Sequence, residues 1–222
     1  MALRRRKPKH VAIVAMGMSH RDYILNCALA GGRHSLFDEV WSINAMGGIL
    51  DCDLIFMMDG ASYLINDTKG SHDDCSGYEG FMRNAKVPIM TAFPETDICP
   101  TAVAYPLEKV LKSVPYPYFN TTVAYALAYA IAEGVGEVSL FGCDYTYPDR
   151  HAAESGRGCV EFLIGLAVSR GVKINVAETS TLLDSCSTDK FYGYNGRVVL
   201  TTAADGTTAV TFKESADAPD SP

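Results

Sequence analysis

The sequence predicts a single α/β domain with a Rossmann-like, mostly parallel sheet and helices on both of its faces. Short apolar runs alternate with longer segments of good helix formers, and the loops between them are short. Several of the apolar runs also end directly in glycine, asparagine or aspartate. The chain has 222 residues, of which 48% are hydrophobic and 20% charged. This composition suits one folded domain and is unlike that of a disordered chain.

Each element is predicted from its apolar pattern and from the residues that flank it. Strands are predicted at residues 11–15, 39–43, 54–58, 87–92, 138–141 and 172–176. Helices are predicted at residues 19–31, 121–133 and 154–169, with Ser19 as the cap of the first and Gly134 and Gly171 at the ends of the other two. The polar stretch 66–74 is predicted to be a loop, and a short helix is expected between it and the fourth strand.

The two ends of the chain are expected to differ from the body. Residues 1–10 form a basic arm on a chain whose net charge is −7, and residues 11–213 form the domain. The arm either contacts nucleic-acid phosphates or is a solvated terminus. Segments 197–202 and 207–212, joined through Ala204-Asp205-Gly206, predict a β-hairpin, and residues 214–222 predict a disordered tail.

The cysteines, the possible metal ligands and the lengths of the apolar runs indicate the cellular environment of the protein. The seven cysteines contain no C-x-x-C pair, which predicts buried thiols rather than a disulfide framework or a zinc site. His72, Asp73 and Asp74 are adjacent in sequence, which is poor geometry for metal ligands, so no metal site is expected. No window approaches the roughly 20 apolar residues of a membrane span. We therefore expect a cytoplasmic protein with no membrane contact, and the sequence leaves a homo-oligomer open.

Polar residues at the predicted strand ends are the candidates for ligand binding, because open α/β sheets bind ligands beyond the carboxyl ends of their strands. The turn with Gly17 and Ser19 precedes a helix N-terminus, which suits a phosphate, although such turns are also purely structural. The other strand-end candidates are Asn44, Asp59, Gly142 and Asp144.

Further candidates lie at the start of one predicted helix and in the segment between a buried strand and the next helix. Thr121 and Thr122 either hold a phosphate or sugar or are ordinary helix caps. Tyr145 and Tyr147 place phenol groups directly after a buried strand. His151, in a polar loop before the next helix, is the candidate proton acceptor, since histidine titrates near neutral pH.

The order of these motifs resembles the bacterial sialyltransferase family of the Campylobacter lipooligosaccharide enzymes, and the wider Rossmann-type group that includes pterin-pyrophosphokinase-like proteins. The family's asparagine-glycine-proline-serine turn corresponds to Met16-Gly17-Met18-Ser19, which lacks the asparagine. Its strand-end asparagine corresponds to Asn44, and its glycine-x-aspartate-aromatic motif to Gly142-Cys143-Asp144-Tyr145. Its general-base histidine lies ten residues before a glutamate-phenylalanine-leucine, as His151 does here before Glu161.

The resemblance implies inverting transfer of a sugar from a CMP- or UDP-sugar to a hydroxyl acceptor, without a required metal. His151 would accept the acceptor's proton, with Asp144 beside it in the catalytic set. Asn44, the Gly17 turn and the threonine pair would hold the nucleotide, and the tyrosines would stabilise the leaving phosphate. The acceptor would be a small molecule, a glycan or, given the basic arm, a hydroxymethylated DNA base modified by a phage enzyme.

Two other functions fit the same residues. A pyrophosphokinase would hold Mg²⁺ on carboxylates such as Asp59 and Asp144. A non-catalytic module would sense a nucleotide in the same crevice, with no proton transfer.

Overall fold

A computed structural model describes residues 8–67, 77–146, 148–187, 197–203 and 207–213. The strands are β1 (His10–Val14), β2 (Glu39–Ile43), β3 (Leu54–Phe56), β4 (Ile89–Thr91), β5 (Ala102–Ala104), β6 (Glu137–Phe141), β7 (Lys173–Val176), β8 (Arg197–Thr202) and β9 (Thr208–Lys213). The helices are α1 (His20–Leu29), α2 (Ala61–Asp67), α3 (Tyr78–Asn84), α4 (Leu107–Ser113), α5 (Thr122–Glu133) and α6 (Arg150–Ser169). Short 3₁₀ turns lie at Arg33–Ser35, Asn44–Gly48 and Leu182–Asp184.

Seven strands form one sheet in the order β5-β4-β3-β2-β1-β6-β7, and every neighbouring pair in it is parallel. The chain winds from β1 outward to β5 and then returns to the other side of β1 with β6. The order therefore reverses between β1 and β6, where Val11 pairs with Val138. Such a switch point opens a crevice at the carboxyl ends of the two strands.

Each face of the sheet has its own core. On one face, Ile13 and Trp41 of the sheet pack with Val110 of α4, Leu127 of α5 and Leu163 of α6. On the other face, Val14 and Ile55 pack with Tyr23 of α1 and Met82 of α3. The alternation of buried residues along β1 and β2 between these two cores is what a parallel sheet covered on both sides requires.

The predicted fold class is confirmed, including the C-terminal hairpin, in which β8 and β9 pair antiparallel. The hairpin turn, 204–206, and the tail, 214–222, lie outside the described residues, as do arm residues 1–7. The arm's predicted boundary at residue 10 falls inside the body, because His10 begins β1 and the carbonyl of Lys9 accepts hydrogen bonds from Gly136 and Glu137.

Several element predictions need correction. Helix α6 begins at Arg150 rather than at residue 154, because Asp149 accepts a hydrogen bond from the N–H of Ala152 and caps it early. Strand β5 and helices α2 and α4 were not predicted. Two of the three residues of β5 are exposed, so this edge strand carries no buried apolar run. Asn66 and Asp67, predicted as loop, belong to α2.

The described part of the chain contains no helix that is both long and apolar enough to cross a bilayer. Four of its cysteines are buried, as expected, namely Cys52, Cys99, Cys143 and Cys159. Cys186 is exposed, contrary to expectation, and Cys75 lies outside the described residues.

Candidate functional site

Two glycines allow the turns after β1 and β6 to meet at the switch point. The N–H of Gly17 donates to the carbonyl of Gly142 at 2.8 Å. Gly142 has φ 66°, in the left-handed region, and a Cβ there would lie 2.1 Å from the carbonyl oxygen of Ala15. A Cβ on Gly17 would lie 2.6 Å from the carbonyl oxygen of Gly142. The two turns can therefore pack against each other only because both positions are glycine.

A buried carboxylate joins these turns to the segment after β7. Asp144 Oδ2 accepts a hydrogen bond from the N–H of Ser19 at 2.7 Å. Its Oδ1 accepts from the hydroxyls of Ser19 and Ser180 at 2.8 and 2.7 Å. Asp144 is only 8% exposed, so these three bonds use most of its accepting capacity. The carboxylate therefore fixes the floor of the crevice.

Ser19 stands at the N-cap position of α1, but its side chain makes no capping hydrogen bond. Its hydroxyl instead donates to Asp144 and accepts from the N–H of Gly142 at 2.8 Å. The predicted side-chain cap is wrong, because the carboxylate and the amide compete successfully for the hydroxyl. Ser19 is 1% exposed and lies beneath the crevice rather than on its surface.

Helix α5 begins at the edge of the crevice. Thr121 is its N-cap, and the threonine Oγ1 accepts a hydrogen bond from the N–H of Ala124 at 3.3 Å. Thr121 is therefore a helix cap, and the first N–H groups of α5 other than that of Ala124 have no partners inside the helix. The positive end of the helix dipole thus faces the crevice beside the hydroxyl of Thr122.

Asn44 combines an uncommon backbone conformation with a buried side-chain oxygen that has no partner. It follows β2 directly and has φ 52°, which is uncommon for any residue other than glycine. Its Oδ1 is buried and has no hydrogen-bond partner among the described residues. A buried acceptor without a partner costs about 1–3 kcal/mol. Strain and an unmet hydrogen bond at one strand end are typical of a binding residue.

These groups line one cleft of about 320 Å³ at the switch point. Of the sequence candidates, the cleft brings together Gly17, Asn44, Thr121, Thr122, Gly142, Asp144 and Tyr145. Its volume is at the lower end of the range for small-molecule sites, which is enough for part of a nucleotide. No lysine or arginine of the described chain lines the cleft, so an anion there would be held by hydroxyls and backbone N–H groups.

Three other candidates lie elsewhere. Asp59 is exposed and lines a separate small depression with Thr91 and Glu95, so it does not share the cleft with Asp144. His151 is exposed in the first turn of α6, not in a loop, and it is not among the residues that line the cleft. Tyr147 lies outside the described residues.

Helix α6, which carries His151, contacts the segment that leads into the cleft. The side-chain amide of Asn120 donates to Ser155 Oγ at 2.7 Å, and Asn120 directly precedes Thr121 of the cleft. His151 and Ser155 are four residues apart on one helix, so they share a face and are about 6 Å apart along the axis. His151 therefore lies about one helical turn from the residue of α6 that contacts Asn120.

Sequence reasoning missed two residues that shape the site. A Cβ on Gly156, in the middle of α6, would lie 2.7 Å from Thr121 Cγ2 and 2.8 Å from Tyr145 Cε1. A glycine within a predicted helix was the available signal, since it costs helix stability unless close packing requires it. The other is Ser180, which makes the third hydrogen bond to Asp144 and lies in a segment with no distinctive sequence pattern.

Titratable groups at the cleft limit its chemistry. Burial raises the pKa of the Cys143 thiol well above its ordinary value, and the charge of Asp144 raises it further. Cys143 therefore stays protonated and is not a nucleophile.

The carboxylates Asp59 and Asp144 lie at different sites, so they do not form the pair that a Mg²⁺ ion would need. The described residues contain no group of three or more His, Cys, Asp or Glu side chains able to hold a metal ion.

Comparison with solved structures identifies the architecture. A structure of monomeric CstII matches 92% of this chain and 91% of its own, at 15% identity and a TM-score of 0.50. The chain shares the fold of the sialyltransferase CstII. CstII from Campylobacter jejuni in complex with the substrate analogue CMP-3FNeuAc matches over 78% of this chain and 82% of its own, at 17% identity and a TM-score of 0.47. The complex with cytidine 5′-monophosphate covers 93% and 91%, at the same identity and TM-score.

No protein-family model matches the chain, and no curated protein matches it.

Proposed function

We propose that this protein is a glycosyltransferase that moves a sugar from a CMP- or UDP-sugar to a hydroxyl acceptor. The observation that carries the proposal is the unmet hydrogen bond of Asn44 in a cleft at the topological switch point. Nucleotides bind at such points in open α/β sheets. The fold shared with a sialyltransferase and the ordered motifs from Gly17 to Asp144 add support for a nucleotide-sugar as donor.

In this proposal, different residues of the cleft bind the nucleoside and the phosphate of the donor. Asn44 Oδ1 accepts a hydrogen bond from a base or ribose N–H or O–H group, which satisfies its buried oxygen. The N-terminus of α5 and the hydroxyl of Thr122 receive the phosphate. Because no basic side chain lines the described cleft, the donor phosphate is stabilised by neutral donors. Asp144 acts as a positioning residue, since its oxygens hold the turns in place.

His151 is proposed as the general base. An acceptor bound at the mouth of the cleft would have to reach both the donor and the imidazole, which lies one helical turn from Ser155. The imidazole would take the proton of the acceptor hydroxyl as that oxygen attacks the anomeric carbon and the nucleotide leaves with the bonding electrons. Attack from the side opposite the nucleotide gives inversion. The acceptors to be compared are a simple glycoside, an oligosaccharide and hydroxymethylated DNA.

A thermal-shift screen over CMP-, UDP-, GDP- and dTDP-sugars tests donor binding, because a ligand of the folded state raises the melting temperature. We expect a rise with a CMP- or UDP-sugar only, and no rise with any donor would contradict the proposal.

Turnover is then measured as nucleotide release, with His151→Ala and the exposed Glu154→Ala of the same helix as a matched control. The histidine variant should keep the thermal shift and lose turnover, and the glutamate variant should keep both. If both variants keep turnover, His151 is not the base. If the natural chain binds the donor but shows no turnover, the nucleotide-sensing alternative is favoured.

A further inference from the structure

A strained turn after β7 connects α6 to the floor of the cleft. We call residues 180–184 the post-β7 turn. Leu183 and Asp184 in it have φ 54° and 49°, in the left-handed region, although neither is glycine. Such a conformation is uncommon, and most of all for a side chain as bulky as leucine. Strain of this kind persists only where the surrounding structure holds it, and it is frequent at functional sites.

One end of the post-β7 turn is bonded to the cleft. The Ser180 hydroxyl donates to Asp144 Oδ1 at 2.7 Å and accepts from the N–H of Leu182 at 3.1 Å. Thr181 Oγ1 accepts from the N–H of Tyr145 at 3.1 Å. Asp144 and Tyr145 both line the cleft. The turn is therefore part of the support beneath the proposed donor site.

The other end of the turn is bonded to α6, through an ion pair whose partners are four residues apart. Arg157 Nε donates to Glu161 Oε1 at 2.7 Å. The same Oε1 accepts from the N–H of Leu183 at 3.0 Å. A terminal nitrogen of Arg157 donates to Asp184 Oδ1 at 3.0 Å. Both strained residues are thus held by one pair of side chains on α6.

A second ion pair of the same spacing shows what is particular about this one. In α3, Arg83 donates to Glu79 Oε1 at 2.8 and 2.9 Å and to the carbonyl of Asp97. Its two side chains are 49% and 46% exposed, against 32% and 30% for Arg157 and Glu161. Exposed pairs of this spacing contribute little to stability. The α6 pair differs because it is more enclosed and bonds the backbone of a strained turn, so the α3 pair is a matched control.

The pair also restrains the orientation of α6. On another side of the helix, Ser155 Oγ accepts from the side-chain amide of Asn120 at 2.7 Å. An α-helix turns about 100° per residue, so Ser155 and Arg157 project about 160° apart around the axis. Bonds on nearly opposite sides of a helix resist its rotation about the axis, which one bond alone would permit. His151, in the first turn of α6, would move with any such rotation.

We propose that Glu161 and Arg157 are positioning residues, which hold α6 against the cleft floor by way of the post-β7 turn. In the reaction proposed above, on which this inference rests, they thereby fix where His151 stands relative to the donor. Glu161 and His151 are ten residues apart on one helix, about 15 Å along its axis, so the pair acts through the helix. A displacement of about 1 Å between reacting groups can lower a rate about 100-fold, so a small rotation of α6 is enough.

The test substitutes Glu161 in the full chain and measures turnover. Glu161→Ala removes the acceptor of two hydrogen bonds, whereas Glu161→Gln keeps it, because both bonds end on Oε1 and an amide oxygen accepts two. Glu79→Ala removes the matched pair of α3. We expect the alanine variant at 161 to lose about tenfold or more in kcat, with KM for the donor within about twofold of the natural value. The glutamine variant should stay within about threefold of the natural kcat, and Glu79→Ala should not change it.

A second measurement does not depend on turnover. Hydrogen exchange of the Tyr145 N–H, followed by NMR, reports whether its bond to Thr181 persists. This amide should exchange about tenfold faster in Glu161→Ala and at the natural rate in Glu161→Gln and Glu79→Ala. Should Glu161→Ala fail to fold, Asp184→Gly removes the second bond of Arg157 at an exposed position and fits φ 49°. It should show the same two effects at about threefold.

The outcomes separate this inference from the proposed function. In a chain that turns over, an unchanged kcat in the folded Glu161→Ala variant would overturn the inference, as would equal losses in the alanine and glutamine variants. A natural chain that turns over no donor contradicts the proposed function instead. The exchange of the Tyr145 amide then decides alone: a faster rate in Glu161→Ala supports the connection from α6 to the cleft, and an unchanged rate refutes it.

Discussion

Replacing Asp144 tests the network that holds the cleft floor. Asp144→Ala leaves three buried donors without their acceptor, namely the N–H of Ser19 and the hydroxyls of Ser19 and Ser180. An unsatisfied buried donor costs about 1–3 kcal/mol, but hydroxyls can rotate toward other acceptors whereas the amide cannot. We therefore expect a loss of about 3–5 kcal/mol in the free energy of unfolding, as for other broken buried networks.

Asp144→Asn should cost less. Its amide oxygen can accept from the N–H of Ser19, and its NH₂ group can donate to the serine hydroxyls once they rotate. The loss should be about 1–2 kcal/mol, because the N–H of Ser19 keeps its acceptor and only the two hydroxyl protons must find others. Urea unfolding followed by the fluorescence of Trp41, the single and buried tryptophan, measures both values. A loss below about 1 kcal/mol for the alanine variant, or equal losses for the two variants, would refute the reasoning.

Two further predictions use the same unfolding assay. Gly17→Ala should destabilise the fold, because the new methyl group would lie 2.6 Å from Asp144 Oδ2. Gly165→Ala should instead stabilise α6 by about 0.5–1 kcal/mol, because nothing outside the adjoining residues and backbone of its own helix lies within 4 Å of the new methyl group. Similar effects of the two substitutions would contradict the packing argument. Hydrogen bonds from Lys173 and, secondarily, Asn175 lower the pKa of Glu137. The stabilisation is thus complete above the ordinary value of 4.5 and is lost as pH falls through the lowered pKa, so Glu137→Gln should flatten the acid side of the stability profile. An unchanged dependence of stability on pH below 4.5 would contradict a stabilising interaction of Glu137 with Lys173 and Asn175.

The sequence predicted the inner strands and the main helices, because their signals are local. The buried runs of β1, β2 and β6 end in punctuating residues, and α5 has both a threonine cap and a C-terminal glycine in the left-handed region. Edge strand β5 escaped prediction because two of its three residues are exposed. The start of α6 was misplaced because the cap at Asp149 is a contact of one side chain, not a pattern.

The candidate site was predicted in part. The rule that ligands bind beyond strand ends correctly gathered Gly17, Asn44 and Asp144 in one cleft. It did not separate residues on the cleft surface from those beneath it, and Ser19 proved to be buried. Nor did it identify Ser180, because a hydrogen bond between residues 36 positions apart leaves no local signature.

The most direct test of a nucleotide site at the switch point is isothermal titration of CMP and of UDP into the natural chain and into Asn44→Gly. Glycine adopts φ 52° without strain and removes the buried Oδ1, so the variant should be at least as stable as the natural chain. We predict that one of the two nucleotides binds the natural chain with one site and that the variant binds it about tenfold more weakly or worse. Equal binding by both proteins, or binding by neither, would contradict the account.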